Sequence, residues 1–390
     1  MGIFDYHYLS EGQVKGFDNY KYSCIDNSPI AVYISHPFWN WLVKFYPEWL
    51  APNTLTLGGF SLVLGSLFLV SAFDYDMNAN SSGGQHIPNW IWLVCAICTL
   101  LGHTMDGTDG KQARRTGASG PTGELFDHGL DSWATVPFTI TLFSIFGRSD
   151  FSISALRLLC ILISVQLVFI VTHWEKYNTG VLFLSWGYDA SQYGLTFFYL
   201  ATYALGFETW KFNVFGNLAF AEVFEIGFYA CCFGSLVMSL VNIHKAYVIE
   251  KTGRQSSLYE GILPMVPATL LFATSIVWGA MSPTKVIDRD PHMFLWTMGV
   301  VFSNIACRLI IAQMSHTRTE TINALLVAYM AVTGLAVMGV LGSAELNVLR
   351  LLAVVVTVAH VHYGICVVRQ MCAHFNILAF SLDYLKQRRE

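Results

Sequence analysis

Four aspartates, Asp106, Asp109, Asp127 and Asp131, are the residues of this chain best placed to do chemistry. They lie within residues 106–131, between two apolar runs, Trp90 to Leu101 and Ser132 to Phe146. Residues three or four apart share a helix face. Asp106 and Asp109 therefore share one face, and Asp127 and Asp131 share another. Gly117, Gly120 and Pro121 mark a tight turn that folds the second run back on the first. The four carboxylates then converge.

Converging anions need cations or protons. Carboxylate oxygens suit hard ions such as Mg²⁺, Mn²⁺ or Ca²⁺. Two such ions about 3.5–4 Å apart form an arrangement used for phosphoryl chemistry. Gly110 and Ala113 are small enough to let a ligand approach the helix backbone. Lys111, Arg114 and Arg115 bring positive charge where phosphate oxygens need it. The competing reading is a salt-bridged hairpin without chemistry. Three cations do not neutralise four aspartates and Glu124 as well.

His128 sits between Asp127 and Asp131 and reads either as a general base or as a hydrogen-bond partner of a ligand carboxylate. Asn53, at the start of an apolar run, reads as a helix cap or as a contact to a nucleotide. Lys111 and Arg115 read equally as anchors at a membrane edge. The segment His173 to Asn178 follows another apolar run. Glu175 beside Trp174 and Tyr177 would suit a small cationic head group through charge and cation–π attraction; an aromatic belt with a snorkelling Lys176 is the alternative. His360, His362 and Tyr363 read as helix-to-helix hydrogen bonding.

The elements that must position these groups are membrane helices. Of the 390 residues, 54% are hydrophobic and 12% charged. Water-soluble domains carry about 25% charged residues, which excludes that class. The fold class is all-α, a polytopic integral membrane protein of about ten transmembrane helices. Apolar length places the spans near 54–73, 90–110, 123–147, 153–173, 191–207, 219–241, 262–281, 292–313, 321–341 and 346–370. Pro37 to Leu50, with Phe38, Trp39, Trp41, Phe45 and Trp49, is expected as one amphipathic helix on the membrane surface. Residues 1–53 form the N-terminal segment, 54–241 the catalytic helices, 242–370 four additional helices of unassigned role, and 371–390 a cytosolic tail. Lysines and arginines collect on the side of Lys111, Arg114 and Arg115, which puts the acids at the cytosolic face. Asn80-Ser81-Ser82 is a glycosylation triplet in the first loop on the opposite side. The nine cysteines read as packing residues. The net charge of −4 says little about partners, and no nucleic acid is expected.

Asp106, Asp109, Gly110, Ala113 and Arg114, followed by Gly123, Asp127 and Asp131, match the pattern D-x-x-D-G-x-x-A-R, then G-x-x-x-D-x-x-x-D. The chain thereby resembles the CDP-alcohol phosphotransferase family at all eight positions. Segments outside the motif, among them His36 to Asn40, His173 to Gly180, Trp186 to Asp189 and His360 to Gly364, resemble the branch that handles phosphoethanolamine. They are shared in part with choline-handling members. The resemblance implies transfer of phosphoethanolamine from CDP-ethanolamine to diacylglycerol or alkyl-acylglycerol, giving phosphatidylethanolamine and CMP. It implies a homodimer in the endoplasmic reticulum or Golgi membrane. In this reading two Mg²⁺ or Mn²⁺ ions sit on the four aspartates, Asp106, Gly110, Ala113, Arg114, Lys111 and Asn53 seat the CDP part, and Asp131 or His128 takes the proton. Transfer from CDP-choline, alone or beside CDP-ethanolamine, is the alternative donor reading. An ion-coupled transporter is the alternative of another class, but the chain shows no convincing internal repeat.

Overall fold

The computed structural model describes residues 2–81, 86–148 and 150–387. Ten helices of fourteen residues or more occur among them, one at each expected span: α1 (Pro52–Phe73), α2 (Asn89–Thr116), α3 (Pro121–Phe143), α4 (Ala155–Thr179), α5 (Gly187–Leu205), α6 (Phe220–His244), α7 (Met265–Met281), α8 (Pro291–Ser315), α9 (Ala324–Val337) and α10 (Glu345–Phe375). Six of them, α1, α2, α4, α6, α8 and α10, are long and apolar enough to cross a membrane. The motif helix α3 and the short α5 are not among those six, because polar residues in their first halves lower their hydropathy.

Several helix ends differ from the apolar-length expectation. Apolar length stops at the first polar residue, whereas a helix continues while its polar groups find partners. Thus α2 runs on to Thr116, so Arg114 and Arg115 lie on the helix itself. It is closed by Gly117 in the left-handed conformation (φ 78°), with the Ala118 amide donating to the Ala113 carbonyl at 2.9 Å. Helix α4 runs on to Thr179, so the segment His173 to Asn178 forms its last turns rather than following it. Helix α1 opens at Pro52 with Ala51 as cap residue, and neither Asn53 nor Thr54 caps it. Proline at the first helical position lacks only an N–H that would be unbonded anyway.

The expected surface helix from Pro37 to Leu50 is shifted toward the N-terminus. It begins with a π-helical segment at Ala31–Ser35, continues as His36–Leu42 and tightens into a 3-10 turn at Val43–Phe45. Tyr46 is extended (φ −71°, ψ 141°), as the residue before a proline prefers to be. Phe38, Trp41, Phe45 and Trp49 are exposed, while Trp39 turns inward and is buried against Gly107 of α2.

Helices α1, α2, α3 and α5 pack together around the motif. The α1–α2 crossing is close because both helices offer glycine. A Cβ on Gly59 would stand 2.9 Å from the Gly102 carbonyl oxygen, an approach that small residues permit between membrane helices. Helix α8 is buried along nearly its whole length and packs on α3, α4, α7 and α10. The second half of the chain therefore supplies the support of the motif helix. Gly129 of α3 faces Cys307 Sγ of α8, and Ser132 shares a 2.7 Å hydrogen bond with Ser303. His360 on α10 closes this layer, bonding Ser303 at 3.0 Å and Asn304 at 3.3 Å, as its expected role in helix-to-helix bonding requires. His362 bonds Tyr8 at 2.9 Å and the Ile3 carbonyl at 2.7 Å. A two-stranded parallel ribbon, Cys24–Ile25 with Leu182–Phe183, ties the N-terminal segment to the end of α4.

On the opposite side, Asn80 is fully buried and donates to the Ser144 carbonyl at 3.1 Å. An asparagine engaged in this way is not open to a bulky glycan. Ser82, the third residue of that triplet, lies outside the described residues. All nine cysteines are free thiols.

Candidate active site

Helices α2 and α3 bring the aspartates together as their spacing predicts. Carboxylate oxygens of Asp106, Asp109 and Asp127 lie within 4.8 Å of one another. A second group of the same reach comprises Asp127, His128 and Asp131. Asp127 belongs to both groups and bridges them. The donor chemistry, three or four carboxylate oxygens with one imidazole beside them, fits hard divalent ions such as Mg²⁺ or Mn²⁺.

Neighbouring helices hold the carboxylates in place. Thr56 of α1 donates its hydroxyl to Asp109. Tyr188 of α5 donates to Asp106 at 2.8 Å. His128 Nδ1 stands 3.8 Å from Asp127 and 3.7 Å from Asp131, while its Nε2 is buried without a hydrogen-bond partner among the described residues. The ring of His173 meets His128 edge-on, with centroids 5.2 Å apart. It is fixed from behind by Gln313 of α8.

The nearby cations do not neutralise this cluster. Lys111 donates to Asn40 Oδ1 at 2.9 Å. Arg115 reaches the Val43 and Tyr46 carbonyls at 3.1 and 2.6 Å and so fastens the surface helix to α2. Lys176 is buried in an ion pair with Glu124, each side chain at most 5% exposed. Arg114 alone is exposed with no ion pair or side-chain hydrogen bond among the described residues. Three or more clustered acids without a paired cation need something else to hold their charge.

The Lys176–Glu124 pair is a feature that sequence reasoning missed, since both snorkelling and membrane anchoring kept the lysine outside. Tyr20 donates to the other Glu124 oxygen at 2.5 Å, and the ammonium lies 4.8 Å from the centre of the Tyr22 ring. Burial and then the Glu124 carboxylate push the Tyr20 phenol up, so it stays a donor. The reach of Tyr188 was missed too, although the segment Trp186 to Asp189 stood out in the sequence.

The head-group candidates point elsewhere. Glu175 accepts from Asn242 of α6 at 2.7 Å, and Trp174 Nε1 donates to the Gly261 carbonyl at 2.6 Å. Tyr177 is buried, and its carbonyl accepts from Gln255 at 2.9 Å. None of the three lines the cleft beside the acids. Asn53 donates to the Ala379 carbonyl at 2.9 Å, and its Oδ1 stands near Gly123 at the start of α3. The C-terminal segment thus crosses the motif helix, where Phe380 also meets Phe126 with ring centroids 5.5 Å apart.

Four clustered acids on two adjacent helices, with small residues and an unpaired arginine beside them, make a site able to hold divalent ions next to an anionic substrate. A family profile described as CDP-alcohol phosphatidyltransferase matches residues 49–227. The chain is 44% identical over 378 residues to human ethanolaminephosphotransferase 1, covering 97% of this chain and 95% of that protein. It is 44% identical to the mouse protein of the same name over the same shares. A choline/ethanolaminephosphotransferase 2 of Arabidopsis thaliana is 29% identical over 79% of each chain. The chain belongs to the CDP-alcohol phosphotransferase family.

Proposed function

We propose that this chain transfers phosphoethanolamine from CDP-ethanolamine to diacylglycerol, or to an alkyl-acylglycerol, giving phosphatidylethanolamine and CMP. The observation that carries the choice of donor is the 44% identity across 97% of the chain to ethanolaminephosphotransferase 1. The plant choline/ethanolaminephosphotransferases share less of both length and sequence.

The bridged aspartates support a two-ion site. In this reading Asp106, Asp109 and Asp127 hold one Mg²⁺ or Mn²⁺, and Asp127 and Asp131 hold the other. The ions supply positive charge to the diphosphate and to the departing CMP oxygen. Gly110 and Ala113 leave the α2 backbone approachable, and Arg114, unpaired and exposed, is free to bind a phosphate oxygen. Lys111 and Asn53 stand at the same end for the nucleotide. The diacylglycerol hydroxyl attacks the β-phosphorus, the bond to CMP breaks, and the proton passes to His128 Nε2. The nearby Asp127 and Asp131 carboxylates favour a hydrogen on Nδ1, which leaves Nε2 as the acceptor. Asp131 is the second candidate for the proton, and its basicity falls if it holds an ion.

The charge bias of the loops supports a cytosolic site. All ten helices are taken to span, in the endoplasmic reticulum or Golgi membrane, with the protein as a homodimer. The deciding experiment offers the purified protein CDP-ethanolamine and CDP-choline in turn, with diacylglycerol and Mn²⁺. Faster turnover of CDP-ethanolamine is expected. Exclusive use of CDP-choline would overturn the reading.

A further inference from the structure

A narrow cleft, open to its surroundings, lies against Asp106 and Asp131, between α1, α2, α3 and α5. Its two walls differ. Phe60, Val63 and Phe138, from α1 and α3, make one side apolar. His103, Tyr188 and Gln192, from α2 and α5, make the other polar.

Only part of the polar wall is engaged. The Tyr188 hydroxyl is given to Asp106 at 2.8 Å. His103 Nε2 faces Asp189 Oδ1 at 3.4 Å, and Asp189 in turn accepts from Ser35 at 2.6 Å. Both ring nitrogens of His103 and the Oε1 of Gln192 are buried with no hydrogen-bond partner among the described residues, and of these Gln192 Oε1 is the one that can only accept. A buried carbonyl oxygen left unpaired is costly, so an acceptor held in this state on a cleft wall points to a donor brought by a ligand.

We propose that this cleft seats the alcohol carried by the donor substrate, and that Gln192 Oε1 accepts a hydrogen bond from its primary ammonium. The inference rests on the donor reading above and names the group that would select the head group. A β-phosphate held through ions on Asp106 and Asp131 would place its alcohol substituent at the mouth of the cleft that these two residues line. A primary ammonium carries three N–H donors, whereas a trimethylammonium carries none. A site built to pair with an N–H discriminates against an analogue that lacks it, because its own polar group is then left unpaired.

The test compares kcat/KM for CDP-ethanolamine and for CDP-choline in the purified full-length wild type and in Gln192→Leu. Inhibition by CMP serves as a check that the nucleotide site is intact. The inference expects the ethanolamine-to-choline ratio to fall at least tenfold in Gln192→Leu, with CMP inhibition unchanged. Gln192→Glu, which keeps an acceptor oxygen, is expected to retain the preference. Gln192→Met gives the same readout as the leucine variant if that variant does not fold. Equal losses for both donors, or no loss for either, would overturn the inference. A wild type that uses CDP-choline alone is a failure of the donor reading; a wild type that prefers CDP-ethanolamine while the ratio stays fixed is a failure of the role given to Gln192.

Discussion

Replacing Lys176 with methionine separates two physical accounts of the same residue. A lysine that snorkels to the membrane edge makes at most a surface ion pair, worth about 0–1 kcal/mol. In the structure Lys176 and Glu124 are at most 5% exposed and paired with each other. Removing one partner of a buried pair leaves an uncompensated charge and costs about 3–5 kcal/mol. The remaining Tyr20 donor, at 2.5 Å, bonds only one Glu124 oxygen and does not replace a cation. At roughly 2 °C per kcal/mol, the lower end for larger domains, Lys176→Met should lower the unfolding midpoint in detergent by about 6–10 °C. Glu124→Gln also strands a buried charge, the lysine ammonium, but should cost less because the amide Oε1 can still accept from it. The double variant should recover part of the loss, giving a coupling of about 2–4 kcal/mol in a double-mutant cycle. The measurement is thermal unfolding of the four purified proteins followed by size-exclusion chromatography. A Lys176→Met midpoint within 1–2 °C of wild type, equivalent to about 1 kcal/mol or less, would refute the buried-pair account.

Because Asp127 belongs to both ligand groups, Asp127→Asn should weaken the binding of both Mn²⁺ ions, and Asp109→Asn only one; Mn²⁺ titration followed by electron paramagnetic resonance reads the difference. His128→Ala should keep CDP-ethanolamine affinity and lose roughly 10²–10⁴-fold in single-turnover rate, and near-normal turnover would return the proton to Asp131. Gly107→Ala should cost about 1–3 kcal/mol by overpacking, because the new Cβ lands on the Trp39 ring, and a truncating Trp39→Leu in the same chain should relieve part of the resulting midpoint shift. A cysteine placed at Thr116, on the last turn of α2, should react with an impermeant thiol reagent at the cytosolic face of sealed microsomes, and labelling from the lumenal side alone would reverse the orientation.

The convergence of the acids was legible in the sequence because it depends on local periodicity. Spacings of three and four set the helix face, and Gly117 and Pro121 set the turn between the helices. The ten helices were legible for the same reason, since apolar length is counted along the chain. What stayed hidden depends on groups far apart in sequence. Tyr188 and Asp106 are 82 residues apart, and Lys176 and Glu124 are 52 apart. Read locally, Lys176 sits at the edge of an apolar run and looks like an anchor. Its partner turns the same residue inward, and the whole segment from His173 to Asn178 follows it into helix and burial. Trp174, Glu175 and Tyr177 looked like a head-group site on composition alone, whereas the contacts that occupy Glu175 and Trp174 come from α6 and from Gly261. The surface helix was placed too late at both ends: its aromatic spacing continues through Pro47, which breaks it, and its start at Pro37 passed over the π-helical turns at Ala31–Ser35.

The burial of α8 sets a timetable for making the protein. The helix that backs the motif ends at Ser315, whereas the motif helix it supports ends at Phe143. A ribosome adding about 5–20 residues per second needs roughly 9–34 s to bridge that interval. Throughout it, the surface of α3 that will receive Cys307 and Ser303 is still bare. Helix α8 has the opposite difficulty. It is apolar enough to be accepted by lipid, yet the finished protein gives it almost no lipid to touch. A chain that inserts its helices in order would therefore have to move α8 from lipid into a protein interior, and that interior is complete only once α10, on which α8 also packs, has been made.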